Sequence, residues 1–300
     1  MGGYNSLLIV AVNIFVLISG YFGIRLTSKK TLSLILQIII YTFLLTTLPY
    51  LLQGDIRSAI VSCLFISHTK YWFVKYYLLL MFFAPLLNNL FENTQRKYLT
   101  YFCLLLLLVS CYFGFLWQDV VNKNGYTFFN FLTLYALGRY IHKYNIRLKT
   151  RYALPIYIIC SLITAVVFYY LFCTRVDLCW RMTYYNSPFV IAAALGLFLV
   201  FLNLNFQSPL LNRLSKSTFA IYLISCSAIS VLHYKIIAYY YTQTYNNFLI
   251  FLLLILFALI FSLLAFLIDP IQRKLNTYII DKLEKIKPIN KFINNEQNIK

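Results

Sequence analysis

The chain predicts an all-α, polytopic transmembrane bundle of about nine spans. Three observations lead there. Of its 300 residues 61% are hydrophobic and only 11% charged. The apolar residues fall in runs of spanning length, about 20 residues for about 30 Å of hydrocarbon. The loops between the runs are alternately rich and poor in Lys and Arg.

In chain order the predicted spans are 7–24, 31–52, 71–91, 98–117, 126–141, 153–173, 187–204, 218–232 and 248–268. Each is read as a helix, because in lipid only helices and closed barrels satisfy every backbone group, and these runs are too continuously apolar for barrel strands. Span 126–141 is short, and 218–232 carries four serines and threonines. Segment 59–67 is too short to cross and is expected at the interface or as a re-entrant piece.

Beyond Asp269-Pro270, Ile271, Leu275, Ile279, Leu283 and Ile286 recur at three- and four-residue spacing among Lys and Arg. That pattern predicts an amphipathic helix on an anionic membrane surface, not another span. The chain therefore divides at 1–268, the membrane domain, and 269–300, a basic tail with a frayed end. No internal repeat supports a transporter built from inverted halves.

Orientation follows from charge. Eighteen basic residues, among them Arg25, Arg96, Lys143, Arg147, Arg213, Lys216 and Arg273, lie in the tail or in loops after odd-numbered spans. Six lie in the other loops: Arg57, Lys70, Lys123, Arg175, Arg181 and Lys235. The positive-inside bias then puts the C-terminus in the cytoplasm and, with nine spans, the N-terminus outside. The same bias accounts for the +18 formal charge, so nucleic acid is not an expected partner.

None of the seven cysteines forms a metal-type CxxC pair, and no metal is expected. Cys173 and Cys179 flank an outward loop, as a disulfide or as two free thiols.

Polar groups inside spans are costly and tend to be functional. They are Asn13, Ser19, Gln37, Lys75, Asn88, Asn130, Arg139, Ser187 and Ser225. All eight carboxylates are read at loops, helix ends or in the tail, which argues against a proton-coupled pump. Lys75, one turn inside Tyr71-Trp72-Phe73, either snorkels beside an aromatic belt or faces inward to hold an anion. Arg139 either extends the basic inner cluster or binds a donor's phosphates, for which its planar fork is suited. Of three histidines, His142 reads as a solvated loop residue and His233 as an interface residue. His68, just before the aromatic belt, is the remaining candidate general base near neutral pH.

Five segments in order resemble the acyltransferase-3 family of bacterial integral-membrane acyltransferases. They are Asn13-Ile14-Phe15-Val16-Leu17-Ile18-Ser19-Gly20-Tyr21-Phe22; Tyr71-Trp72-Phe73-Val74-Lys75 with Ala84-Pro85-Leu86-Leu87-Asn88; Leu134-Tyr135-Ala136-Leu137-Gly138-Arg139-Tyr140; Tyr185-Asn186-Ser187-Pro188; and Leu214 to Ile224. The resemblance is closest to enzymes that O-acetylate surface or capsular polysaccharides, and it covers about residues 8 to 268.

It implies about ten helices in the bacterial cytoplasmic (inner) membrane and no bound cofactor. It also implies an acyl-CoA donor, acetyl-CoA first of all, and a sugar hydroxyl on an exported or lipid-linked glycan as acceptor. Lys75 and His68 are then the catalytic candidates. Arg139, Trp72, Asn13, Ser19, Tyr21 and Ser187 are the candidates for binding donor or acceptor. The family's usual base is a histidine on a helix preceding the Ser-Gly-Tyr helix, and the chain starts just before the latter. An N-terminally truncated member is therefore expected, with an inactive remnant or a non-enzymatic export or scaffold protein as the alternative.

Overall fold

An apolar segment in lipid has no water to satisfy its amides, so it must bond them within itself. The computed structural model shows that outcome. It describes residues 2–63, 71–118, 120–205, 207–227, 231–244 and 247–285, and among these every regular element is helical. The helices are α1 (Gly2–Leu8), α2 (Val10–Phe22), α3 (Ser28–Thr42), α4 (Leu48–Leu52), α5 (Ile56–Cys63), α6 (Trp72–Asn93) and α7 (Arg96–Val109). They continue with α8 (Phe128–Lys143), α9 (Thr150–Cys173), α10 (Pro188–Leu202), α11 (Pro209–Lys216), α12 (Thr218–Ser225), α13 (Val231–Thr244) and α14 (Asn247–Glu284). Wider π turns extend α3 through Phe43–Thr47 and α7 through Ser110–Leu116.

Among the described residues, seven helical stretches are long and apolar enough to cross a membrane: Asn5–Phe22, Ser28–Leu52, Trp72–Asn93, Arg96–Leu116, Thr150–Cys173, Leu178–Leu202 and Phe248–Leu283. They coincide with seven of the nine predicted spans. Their outer faces carry exposed Leu104, Leu105 and Leu108 on α7, Ile159, Leu162 and Val166 on α9, and Leu256, Leu259 and Leu263 on α14. In water such surface would cost about 25 cal/mol per Å²; against lipid tails it costs nothing comparable.

The other two predicted spans differ in kind. Segment 126–141 becomes α8, whose 16 residues reach about 24 Å at the α-helical rise. It buries nine residues, from Asn130 to Ile141, so it is an interior helix with neighbours on most sides. Segment 218–232 is interrupted: α12 ends at Ser225. The Ser225 and Ser227 hydroxyls donate to the carbonyls of Tyr222 and Ile224 at 2.9 and 2.7 Å, competing with the helical ladder.

The chain forms two compact units, and the division between them falls inside α6. One comprises Met1–Arg25 and Tyr76–Phe206, the other Leu26–Lys75 and Gln207–Lys300. In the first, α2 packs along α8, α10 along α9, and α10 against α2. In the second, α14 packs on α3, α12 and α13, and α5 packs on the π turn after α3. The Thr47 and Ser62 hydroxyls fasten that contact at 2.8 Å. Ahead of α5, Asp55 accepts from the Ser58 amide at 3.0 Å, and this bonding to Ser58 holds its carboxyl below the usual range.

Two expectations change here. The tail does not begin a separate helix, because α14 runs unbroken through Pro270 to Glu284. Nor do all carboxylates lie at the periphery, since Asp269 is fully buried within α14. Its Oδ1 accepts from Gln37 Nε2 at 2.9 Å. Its Oδ2 accepts from Ser217 Oγ at 3.0 Å and pairs with Arg273 Nε at 3.2 Å. The buried edge of this stretch is Asp269, Gln272, Asn276 and Ile280, whereas Ile271, Leu275 and Tyr278 are exposed. The stripe assigned to lipid from sequence is thus outward-facing, and the packed face is polar. Residues 286–300, including Ile286, lie outside the described residues.

Candidate functional site

In the first unit, α2 and α8 run parallel, because ascending positions on one meet ascending positions on the other. Gly138 lies against the Leu17 carbonyl, and Tyr21 sets its ring edge-on to His142 with centroids 4.9 Å apart. At the crossing a Cβ on Gly138 would overlap the Leu17 carbonyl and one on Gly20 the Tyr135 carbonyl. These two glycines let the backbones touch, as small residues do between membrane helices.

Just beyond the crossing, three groups close a ring. Asn88 Nδ2 donates to the Ile24 carbonyl at 3.0 Å, Tyr135 Oη donates to Asn88 Oδ1 at 2.8 Å, and the Ile24 amide donates to Tyr135 Oη at 3.0 Å. The ring ties the turn after α2 to α6 and α8. Arg139, one turn further along α8, is drawn into the same corner. Its side chain is 11% exposed, and its guanidinium lies against Gly23, which takes a left-handed φ of +73°. Its nearest carboxylate, Glu92, is 3.9 Å away and largely exposed, and its buried Nε has no partner.

Two further cations cap helix ends here. Lys143 donates to the carbonyls of Phe91 and Thr94. Arg147 donates to the Leu202 carbonyl and, at 3.3 Å, to Tyr21 Oη. The C-terminal ends of α2, α6, α8 and α10 are therefore gathered with three cations, where helix dipoles favour positive charge. Of the three, Arg139 alone is buried without a close acceptor, and it can hold an anion.

The opposite end of this unit is rich in amides. Asn13, fully buried on α2, donates to the Tyr185 carbonyl at 2.9 Å. Asn186 donates to the Asn122 carbonyl at 2.6 Å, and Asn122 donates to Ser110 Oγ at 2.8 Å and accepts from Thr127 at 2.7 Å. Gly114, in the π turn, makes room for Asn186, since a Cβ there would lie 2.5 Å from its amide nitrogen. The Oδ1 atoms of Asn13 and Asn186, the Oγ of Ser187 and both amide atoms of Asn130 are buried without a partner. Most buried polar atoms are bonded, so such a cluster calls for an explanation.

The structure thus brings Asn13 and Ser187 to one end and Tyr21 and Arg139 to the other. Ser19 lies between, its hydroxyl donating to the Phe15 carbonyl at 2.9 Å and standing 3.4 Å from Tyr77 Oη. Lys75 and Trp72 belong to the second unit, where Lys75 is exposed and Trp72 half-buried on the first turn of α6. His68 and the side chain of His233 lie outside the described residues. Cys173 and Cys179 are free thiols, the first exposed and the second buried. Among the described residues no three His, Cys, Asp or Glu side chains converge on a possible metal position.

Sequence reasoning gave no role to Tyr135, Asn122 or Asn186, although the first and last stand within its motif segments. The first is one aromatic among 54 Tyr and Phe residues, and the asparagines lie outside the predicted spans. The Gly23-to-Arg25 turn, with a glycine closing an apolar helix, is a further sequence signal for the corner beside Asn88 and Arg139.

A family model described as an acyltransferase domain matches residues 2–267. No curated protein matches the chain, and no solved structure does.

Proposed function

The chain belongs to the acyltransferase-3 family of membrane acyltransferases, and from that premise we propose that it is an O-acyltransferase acting on a surface or capsular polysaccharide or its lipid-linked precursor. The donor is acyl-CoA, with acetyl the first candidate, and the protein sits in a bacterial cytoplasmic membrane with its C-terminus in the cytoplasm.

The observation that carries this reading is the extent of the match, which reaches residue 267 and so takes in the long apolar helices up to the middle of α14. The first unit's two polar ends support it. Arg139 stands where a guanidinium fork can take a donor's phosphates, and the unsatisfied amides and hydroxyl around Asn13, Asn186 and Ser187 suit a hydroxyl-rich acceptor.

In the reaction the acceptor oxygen attacks the thioester carbonyl carbon. The C–O bond forms, the C–S bond breaks, and the hydroxyl proton passes to a base and on to the departing thiolate. We assign Lys75 to the developing oxyanion, His68 to the base, and Trp72, Ser19 and Tyr21 to binding donor or acceptor.

The test is transfer of label from radiolabelled acetyl-CoA to extracted glycan in membranes holding the full chain. Lys75→Ala and Arg139→Ala are each expected to abolish most transfer, and wild-type rates in both would remove the site assignment. No label in any glycan or lipid-linked fraction would remove the acceptor class.

A further inference from the structure

The second unit contains a hollow of about 350 Å³ that the acyl-transfer reading leaves unused. Its walls are Arg213, Lys216, Phe266, Pro270 and Arg273. Three of these five are cations and none is acidic. Arg213 and Lys216 sit one turn apart on α11, both exposed, and among the described residues neither is paired with a carboxylate. Their spacing on the helix, i and i+3, points both to the same side.

Arg273 reaches the hollow from α14 and is held differently. Its Nε is tied at 3.2 Å to buried Asp269, which Gln37 and Ser217 fix in turn. The ion pair orients the guanidinium and leaves its two terminal nitrogens for another acceptor. Asp269 is itself fully buried behind this pair, so it neutralises one charge without presenting an oxygen at the surface. Phe266 and Pro270 supply an apolar wall beside the cations. Next to the hollow, Ile271, Leu275 and Tyr278 form an exposed apolar stripe on α14, and the Lys282 ammonium lies 4.7 Å from the Tyr278 ring centroid.

We propose that this hollow binds a phosphate ester. A pre-oriented guanidinium and two unpaired cations around an apolar wall suit a phosphate attached to an organic group. That chemistry has two sources on the side to which the charge bias assigns α11: the headgroup of an anionic phospholipid, and the phosphates of a soluble coenzyme thioester.

The experiment uses the full chain in nanodiscs, with binding as the readout, so its outcome is independent of whether acyl transfer occurs. Wild type and R213Q/K216Q are compared for retention of a fluorescent phosphatidylglycerol in phosphatidylcholine discs, and for calorimetric binding of coenzyme A. Both positions are exposed and unpaired, so the variant is expected to fold; R213K/K216R keeps the charge and serves as control. Removing two charge-assisted contacts should weaken the bound probe about a hundredfold. A loss for the lipid probe assigns the site to a headgroup, a loss for coenzyme A to a coenzyme-phosphate site additional to the one at Arg139, and a loss for both to phosphate esters of either source. If wild type binds neither probe, or the glutamine variant binds both as tightly as wild type, the proposal is overturned.

Discussion

Gly20 and Gly138 meet where α2 crosses α8, so closely that a Cβ on either would overlap a backbone carbonyl of the other helix. Both belong to motif segments recognised in the sequence, Ser-Gly-Tyr and Leu-Gly-Arg. The two motifs are thus halves of one helix contact. Backbone cannot yield as a flexible side-chain tip does. Gly138→Ala and Gly20→Ala should each cost about 1–3 kcal/mol or more, read as a lower thermal midpoint in detergent.

The contact also positions the ring of Ile24, Asn88 and Tyr135. Tyr135→Phe removes one hydroxyl and leaves the Ile24 amide and Asn88 Oδ1 without their partner. Losing a buried partner costs about 1–3 kcal/mol. Asn88→Ala breaks two of the same three bonds, so the pair should be non-additive, with a coupling of about 0.5–3 kcal/mol in a double-mutant cycle. Full additivity in thermal or denaturant unfolding would show that the ring does not act as a unit.

For Arg139 the geometry separates two roles. If it serves Glu92, Glu92→Gln should disturb the protein as much as Arg139→Gln. The pair is 3.9 Å apart and its carboxylate is largely exposed, a class of contact worth about 0–1 kcal/mol. The expected outcome is therefore a near-silent Glu92→Gln. Arg139→Lys should raise KM for acyl-CoA, because a point charge lacks the planar fork that packs on Gly23. Equal KM values for Arg139→Lys and wild type would separate Arg139 from the donor.

Orientation is tested by the ends. A reporter that fluoresces only in the cytoplasm, fused after Lys300, should be bright, and one active only outside should be silent. The reverse pattern would place Arg139, Lys143 and Arg147 on the wrong side for a cytoplasmic donor.

The fold class, the seven long spans and the motif helices were legible in the sequence because lipid imposes them: a run of apolar residues long enough to cross has one backbone solution. What depends on packing was not. The 16-residue α8 reads as a weak span, yet it is short and polar because protein surrounds it. Tyr135 and Asn186 stand in motif segments, yet they have no legible role until their partners, 111 and 64 positions away, are brought to them. Asp269-Pro270 reads as the end of a helix because proline usually breaks one. Here the helix passes through, as membrane helices allow, and the carboxylate is carried inside.

That buried carboxylate yields the sharpest stability prediction. Asp269 accepts from Gln37, Ser217 and Arg273 at once and has no exposed surface. Asp269→Ala strips all three partners and leaves the guanidinium of Arg273 without its counter-charge. Breaking a buried ion pair from one side costs about 3–5 kcal/mol, reduced here because Arg273 is partly solvated and can turn outward. Asp269→Asn keeps the volume and can still bond its neighbours, so it should lose less. Adding Arg273→Gln to Asp269→Asn should recover part of that loss, since the uncompensated charge is then gone. Thermal unfolding of the three variants should rank alanine least stable, asparagine next and the double substitution closest to wild type. A double variant weaker than Asp269→Asn alone would mean that Arg273 stabilises α14 through contacts other than this carboxylate.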